Sequence, residues 1–267
     1  MRIPVWIVAA GWMAAAPALH AAPLTEASGT ATRSFRGLAY DRSSGDFLYT
    51  EEHEQSWDGA RLVSARVTYR APDGSVMATK TLDFANGAER PTFRMDDARD
   101  GYVEGVSVRP TEIELFQRDK RESELERATL PRPAELVVDA GFNYFMRNHW
   151  DAIARGEVLA FDFAAPTRLD TYRFQARRMG ERDVGGRPAM VVAVELATPL
   201  VRWLLDPITL TYDRETHELL EWQGISNLDD ERDKPYDARI VFPRGEGGVP
   251  ETRAATSTTK TLADGGG

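Results

Sequence analysis

The chain has 267 residues, no cysteine and a formal net charge of −9 at pH 7. The absence of cysteine excludes a thiol nucleophile and a thiolate metal site, and any core must hold without disulfides. The acidic charge disfavours nucleic acid and anionic membrane surfaces as main partners.

Residues 1–21 have the pattern of a cleavable secretory signal peptide. A basic start precedes an apolar stretch that two prolines interrupt. A membrane anchor needs about 20 uninterrupted apolar residues, so this stretch is too short for one. We expect cleavage after Ala21, because cleavage one residue later would leave Pro23 at the new N-terminus. With no cysteine for lipid attachment and no later apolar stretch of membrane length, the sequence predicts an exported, soluble, periplasmic protein without a transmembrane segment.

Residues 22–243 are predicted to form one domain, and most of it alternates between apolar and polar side chains. Val63, Ala65, Val67 and Tyr69 give one example. This period of two is typical of antiparallel strands with one face buried. Turns such as residues 72–74, Pro-Asp-Gly, separate the runs, and we predict about twelve strands.

Two segments, residues 38–42 and 210–214, share the sequence Tyr-Asp-Arg at their ends and are each followed four residues later by an apolar pair. They predict two hairpins with the same turn chemistry. Either two hairpins of one sheet use the same turn, or an old duplication produced both.

Residues 133–155 have helical spacing instead. Pro133 suits a first turn and Gly156 a C-terminal stop. The stripe at steps of three and four consists of Val138, Phe142, Phe145, Met146, His149 and Ile153. We predict one amphipathic helix of about six turns.

The segments after this helix complete the prediction of fold class. Residues 199–207 fit either a short helical turn or an irregular strand. Residues 244–267 are rich in Gly, Ser, Thr and Ala, and we predict a disordered tail. The fold class is therefore mainly β (α+β): a single long antiparallel meander, curved into a half-open barrel around one amphipathic helix so that both apolar faces are buried.

Several segments resemble a group of uncharacterised exported bacterial proteins; they are residues 139–143, 150–153, 161–163, 206–213 and 224–228. The order of strands and helix is also similar to that of the lipoprotein-localisation-factor carriers. In those proteins a half-open barrel with a helical plug binds acyl chains. The second resemblance implies a carrier architecture and transfers no individual binding residue.

Three histidines remain after signal cleavage. His53 lies in an acidic run, and on a strand it shares a face with Glu51; it is either a catalytic or metal-binding group or part of a solvated acidic strand. The second histidine of a zinc-protease motif is absent, since Trp57 occupies that place. His149 on the helix stripe either meets a ligand or is a core residue with a backbone acceptor. His217 is expected at the surface of a turn.

The aromatic side chains are the remaining indication of function. Either they fill the core, or some of them line a cavity for an acyl chain. The candidate lining residues are Phe142, Phe145, Met146, His149, Ile153, Phe161, Phe163, Tyr172, Phe174 and Trp222.

Three functional hypotheses follow. The first is a periplasmic carrier for a lipid or a lipidated partner, which requires a cavity beside the helix. The second is a non-enzymatic envelope assembly protein, which requires an uncovered sheet edge or an exposed apolar patch. The third is a glycan or lipid hydrolase, in which histidines and carboxylates converge in one cleft. No nucleophile elbow, phosphate-binding loop or dinucleotide motif is present, so we assign no catalytic residue, metal site or cofactor.

Overall fold

The computed structural model describes residues 30–198 and 207–243. The predicted signal peptide, nearly all of the undecided segment 199–207 and the tail 244–267 lie outside the described residues. The described elements are β1 (Thr30–Asp41), β2 (Phe47–Asp58), β3 (Arg61–Arg70), β4 (Val76–Asp83), β5 (Thr92–Asp97), β6 (Val103–Val108), β7 (Glu112–Arg118), β8 (Glu126–Pro131), β9 (Leu136–Val137), α1 (Gly141–Asn148), α2 (Trp150–Ala154), β10 (Leu159–Ala165), a 3₁₀ turn (Pro166–Arg168), β11 (Asp170–Asp183), β12 (Pro188–Leu196), β13 (Ile208–Asp213), β14 (Leu219–Asp229) and β15 (Pro235–Val241).

All the described strands belong to one sheet, which confirms the mainly β prediction. The strand order is β8-β7-β6-β5-β4-β3-β2-β1-β15-β14-β13-β12-β11-β10-β9. Two meanders, β1 to β8 and β10 to β15, are therefore joined by the antiparallel pair β1–β15. The prediction of a single antiparallel meander is corrected at this central pair and at β9, which pairs with β10 in parallel.

The sheet curves strongly around the helical segment. Strands β4 and β10 are nine positions apart in the strand order, which is about 43 Å in a flat sheet. The segment before α1 is ion-paired to Lys80 of β4, while Phe145 of α1 contacts Phe161 of β10 at a ring distance of 4.8 Å. Because α1 is only about 12 Å long, both contacts require a curved sheet. The described part of the sheet does not close: β8 and β9 remain its two edges, as expected of a half-open barrel.

The predicted helix over 133–155 is wrong in its start and its continuity. Helix α1 begins at Gly141, and the chain before it forms β9. Asp139, with a φ of 41°, turns the backbone between β9 and α1. Helical structure over the first residues is lost because Leu136–Val137 instead completes the hydrogen bonding of the β10 edge.

The two helices are separated at His149, whose φ of −107° and ψ of 20° are not helical. The predicted C-terminal stop is confirmed: Gly156 has a φ of 89°, and the amides of Gly156 and Glu157 bond back to the carbonyls of Ile153 and Ala152. This is the Schellman arrangement that a left-handed glycine permits.

The helical segment, residues 138–154, packs against both meanders and is called the plug below. Val138 belongs to an apolar cluster formed mainly by the first meander. Phe145, Met146, Trp150 and Ile153 belong to a second cluster with strands β10 to β13. The plug therefore holds two half-cores together.

The predicted turns are present where the sequence placed them. Gly74 has a φ of 86° in the turn between β3 and β4. The two segments of similar sequence, residues 38–42 and 210–214, both lead into hairpins whose turn begins at an aspartate. Asp41 Oδ1 accepts hydrogen bonds from the amides of Ser43 and Ser44, and Asp213 Oδ1 accepts them from the amides two and three residues further along the chain. The shared turn chemistry is confirmed, while a common ancestry of the two hairpins stays a prediction.

Candidate functional site: an interior cavity beside the plug

A cavity of about 490 Å³ lies between the plug and the inner face of the sheet. This volume is within the range of small-molecule sites. Its walls differ in character. The second meander supplies mostly apolar side chains, whereas β1 to β4 supply charged and polar ones beside Phe35, Trp57 and Val67.

Five of the ten predicted lining residues do border this cavity: Phe142, Phe161, Phe163, Phe174 and Trp222. Phe142 comes from α1 and the others come from β10, β11 and β14. Their rings pack on one another, with Phe161 and Phe174 stacked at 6.3 Å and Phe163 edge-on to Phe174 at 5.8 Å. These five side chains therefore form part of one apolar wall.

The other five predicted residues lie elsewhere. Met146 and Ile153 are fully buried core residues, and Tyr172, towards the start of β11, is 39% exposed. Phe145 and His149 border a separate hollow of about 360 Å³ on another side of the plug. On α1, the side that bears Phe142, Asn143, Tyr144 and Arg147 faces the cavity, and Phe145 and Met146 pack elsewhere.

The histidine predictions have mixed outcomes. His149 Nδ1 bonds to the carbonyl oxygen of Phe145 at 2.9 Å, which is the backbone-satisfied alternative. His217 lies in the β13–β14 turn as predicted, but its ring stacks on Trp150 at 4.0 Å and is half-buried rather than free at the surface.

His53 does not belong to a solvated strand, which corrects the second alternative given for it. Its Nε2 lies 2.9 Å from Glu51 Oε2, and the two side chains are 19% and 10% exposed. The imidazole stacks on Phe35 at 4.4 Å and meets Phe242 edge-on. Both partners line the cavity. The missed signal was that Tyr49 and Trp57, large aromatic residues, share their face of β2.

A second polar pair lies deeper in the cavity wall. Lys80 Nζ donates to Asp139 Oδ1 at 2.6 Å, joining β4 to the plug. Burial by itself lowers the pKa of Lys80, but Asp139, with help from Tyr69 and Glu104, outweighs burial and raises the pKa above its usual range.

Glu104 lies in the same buried region, where it accepts from Asn227 Nδ2 at 2.6 Å and from the Tyr102 hydroxyl at 3.0 Å. Burial raises the pKa of Glu104, while Lys80 and the two hydrogen bonds act in the opposite direction with less effect.

The hydrolase hypothesis is met only in part. His53 and Glu51 do converge in the cavity, but His149 does not join them. Among the described residues, Glu51 is the hydrogen-bond partner of His53, and no hydroxyl contacts its ring. No group of three or more metal-ligating side chains occurs in residues 30–198 and 207–243.

The assembly hypothesis required an open edge or an apolar patch. Strand β8 is an edge of the sheet in the described chain, but it carries exposed Glu126 and Arg127 and ends at Pro131, features that limit strand addition. The large exposed apolar side chains of the described residues lie on several different elements. None of the helices in the described part has the length and apolar character needed to cross a membrane.

Comparisons with known proteins leave the family open. No protein-family model matches the chain, and neither does any curated protein. Among solved structures, the chain is similar to a DUF1329 family protein from Desulfovibrio piger ATCC 29098, at 12% sequence identity and a TM-score of 0.30. The match covers 85% of this chain and 77% of that one.

Proposed function

We propose that the protein is a periplasmic carrier that binds an apolar, lipid-like ligand, or the acyl part of a lipidated partner, in the cavity beside the plug. The observation that supports this proposal is the cavity of about 490 Å³ in the place where the carrier hypothesis requires one. Its location in the periplasm rests on the sequence pattern of residues 1–21.

The apolar wall gives the reason for an apolar ligand. Protein interiors normally close-pack, and a void deprives the side chains around it of contacts. Here the rings of Phe161, Phe163, Phe174 and Trp222 each have part of their surface facing the open cavity instead of other side chains. An acyl chain in that space would restore the contacts and remove its own methylene groups from water, at about 0.8 kcal/mol for each one buried.

The direct test is native mass spectrometry of protein purified gently from the periplasm, followed by organic extraction. A carrier is expected to retain a stoichiometric mass that extracts as lipid, or to take up a fluorescent fatty acid when purified empty. An empty protein that takes up no fluorescent fatty acid would contradict the proposal.

A matched pair of variants ties uptake to the cavity. Ala65 of β3 lines the cavity, and its neighbour Arg66 is exposed on the outer face. We expect Ala65→Trp to fill the cavity and weaken fatty-acid binding at least about tenfold, which is 1.4 kcal/mol. Arg66→Trp adds the same side chain outside and should leave binding unchanged. Equal affinities of both variants would place the ligand elsewhere.

A second candidate, the envelope assembly protein, rests on the open edge of β8. If this edge recruits a partner strand, crosslinking from Thr129 in the periplasm should capture a partner protein. Proline at Thr129 should abolish that capture without changing fatty-acid uptake. Capture with no lipid uptake would favour this candidate over the carrier.

A further inference from the structure

One end of the cavity carries two arginines that have no ion-pair partner among the described residues. Arg33 of β1 and Arg147 of α1 both line the cavity. Neither has a carboxylate within 4.0 Å among the described residues, where most of the other arginines are ion-paired. Arg33 is partly buried, and such a charge without a counter-ion is costly unless another molecule supplies the anion.

The carboxylates that line the same cavity have other partners. Glu51 is bonded to His53 and Asp139 to Lys80. Glu218 accepts a hydrogen bond from Thr216 Oγ1 at 3.3 Å. In the described structure these carboxylates are therefore engaged with groups other than Arg33 and Arg147, and neither guanidinium has a carboxylate partner there.

Several contacts place the two guanidinium groups at the same end. Arg33 lies over the Trp57 ring at 4.3 Å and faces Gln55 in the β1–β2 register. Gln55 Nε2 is 3.4 Å from the Tyr144 hydroxyl, and Tyr144 lies on α1 three residues before Arg147. Burial raises the pKa of the Tyr144 phenol, and the positive charges of Arg147 and Arg33 oppose that rise.

Two atoms at this end have no hydrogen-bond partner in the part of the chain that the structure describes. Arg33 Nε is buried without an acceptor, and Asn143 Oδ1 is buried without a donor. Asn143 lies four residues before Arg147 on α1, so the two side chains share one side of the helix. Since no hydrogen bond in the described structure holds the Asn143 amide, it can rotate to present either its oxygen or its NH₂ group. Arg147 is exposed, so this end of the cavity reaches solvent.

We propose that the ligand is an anionic amphiphile, whose carboxylate or phosphate is bound by Arg33, Arg147 and the Asn143 amide. Its acyl chain then extends into the cavity along Phe142 and Phe161. Guanidinium groups suit this role because they donate paired hydrogen bonds to carboxylates and phosphates. Trp57 supports Arg33 from the ring face and fixes the direction of its donors. This inference rests on the carrier function proposed above and selects charged lipids over neutral ones.

The test is calorimetric titration of the full mature chain with three probes of equal chain length: dodecanoate, dodecyl phosphate and dodecanol. We expect at least one of the two anions to bind about tenfold or more tightly than the alcohol, since hydrogen bonds to charged groups are the stronger class. The preferred anion identifies the head group. Acetate and inorganic phosphate, which have no acyl chain, should bind more weakly than dodecanoate and dodecyl phosphate. If they bound as tightly, the proposal that the ligand is an amphiphile would be overturned.

Variants separate the two parts of the proposal. Arg147→Gln, at an exposed position, should reduce anion binding about tenfold and leave dodecanol binding unchanged. Arg33→Gln should act in the same direction. The control is Arg36→Gln on the outer face of β1, where Arg36 pairs with Glu52 at 3.4 Å. Equal affinity for dodecanol and both anions, or an equal loss for all three probes in Arg147→Gln, would overturn the anion site while leaving the carrier function intact. Absence of binding by all three probes would overturn the carrier function itself.

Discussion

Lys80 and Asp139 form the ion pair that fastens the plug to the sheet, with Nζ and Oδ1 2.6 Å apart and 9% of each side chain exposed. Asp139 has a left-handed backbone, φ 41°, directly before α1. The pair therefore positions the start of α1 against β4. The side of α1 that carries Phe142 and Arg147 faces the cavity as a result.

Replacing Asp139 by Asn should be strongly destabilising. Asn tolerates the left-handed backbone, so the change isolates the loss of charge. Lys80 is then buried without a counter-ion, and breaking such a pair costs about 3–5 kcal/mol. Urea denaturation followed by circular dichroism measures this loss. The double variant with Lys80→Met should recover part of it, because no unpaired charge remains. A single-variant loss under about 1 kcal/mol would mean that Lys80 finds another partner.

Replacing Glu104 by Gln should raise the melting temperature at pH 8 relative to the native chain. Burial raises the pKa of Glu104, so the folded state favours the protonated carboxyl. Glu104 therefore stabilises the fold fully at pH values below its pKa in the unfolded chain. This stabilisation is lost as the pH rises through the higher pKa that Glu104 has in the folded protein. Gln does not titrate, so its advantage should be larger at pH 8 than at pH 5. Thermal melts at both values test this, with Glu124→Gln at an exposed position as the control. If the stability advantage of Glu104→Gln were instead larger at pH 5 than at pH 8, the raised pKa of Glu104 in the folded protein would be contradicted.

Two buried tyrosines should respond differently to removal of the hydroxyl. Tyr212 and Tyr49 are both fully buried. Tyr49 bonds to Ser226 at 2.8 Å, while Tyr212 OH has no partner in the described structure. We expect Tyr49→Phe to cost about 0.5–1.5 kcal/mol, and Tyr212→Phe to cost nothing or to stabilise by up to about 1 kcal/mol. Urea denaturation of the two variants gives the comparison, and a larger loss in Tyr212→Phe would reveal a missing partner.

Gly141, the first residue of α1, should not tolerate even a methyl group. A Cβ there would lie 2.1 Å from the carbonyl oxygen of Glu89, which also accepts the amide of Val138. The contact is with backbone, so relief requires the plug to move, at about 1–3 kcal/mol for Gly141→Ala. The control is Asn148→Ala, which removes an exposed hydrogen bond to the Glu89 side chain and should cost about 0.5 kcal/mol or less. Fatty-acid uptake should fall only in the glycine variant. Unchanged stability and uptake would show that the plug has room at this contact.

The apolar wall of the cavity was predictable because period two groups side chains by face. Phe161 and Phe163 are two residues apart on β10, so the period of two puts them on one face, and they meet Phe174 in the cavity. The helix was harder to predict, because its apolar stripe begins at Val138, directly after β9 and before α1, and continues across the break at His149. A spacing pattern reports only that side chains point the same way; it does not report where backbone hydrogen bonds change partners.

The polar wall depended on the tertiary structure. Alternation on β2 separates Glu51 and His53 from Glu52 and Glu54, but both pairs are polar, and only the aromatic residues Tyr49 and Trp57 on the face of His53 indicate which pair faces inward. That choice follows from register: His53 lies opposite Phe35 on β1 and Val67 on β3, both on the inner face. Arg33 and Arg147 are 114 positions apart in the chain, so no local sequence pattern brings them together. Strands and the grouping of aromatic side chains can be predicted from local order, whereas the pairing of charges, and hence which arginines lack an ion-pair partner in the described structure, is decided only when distant strands meet the plug.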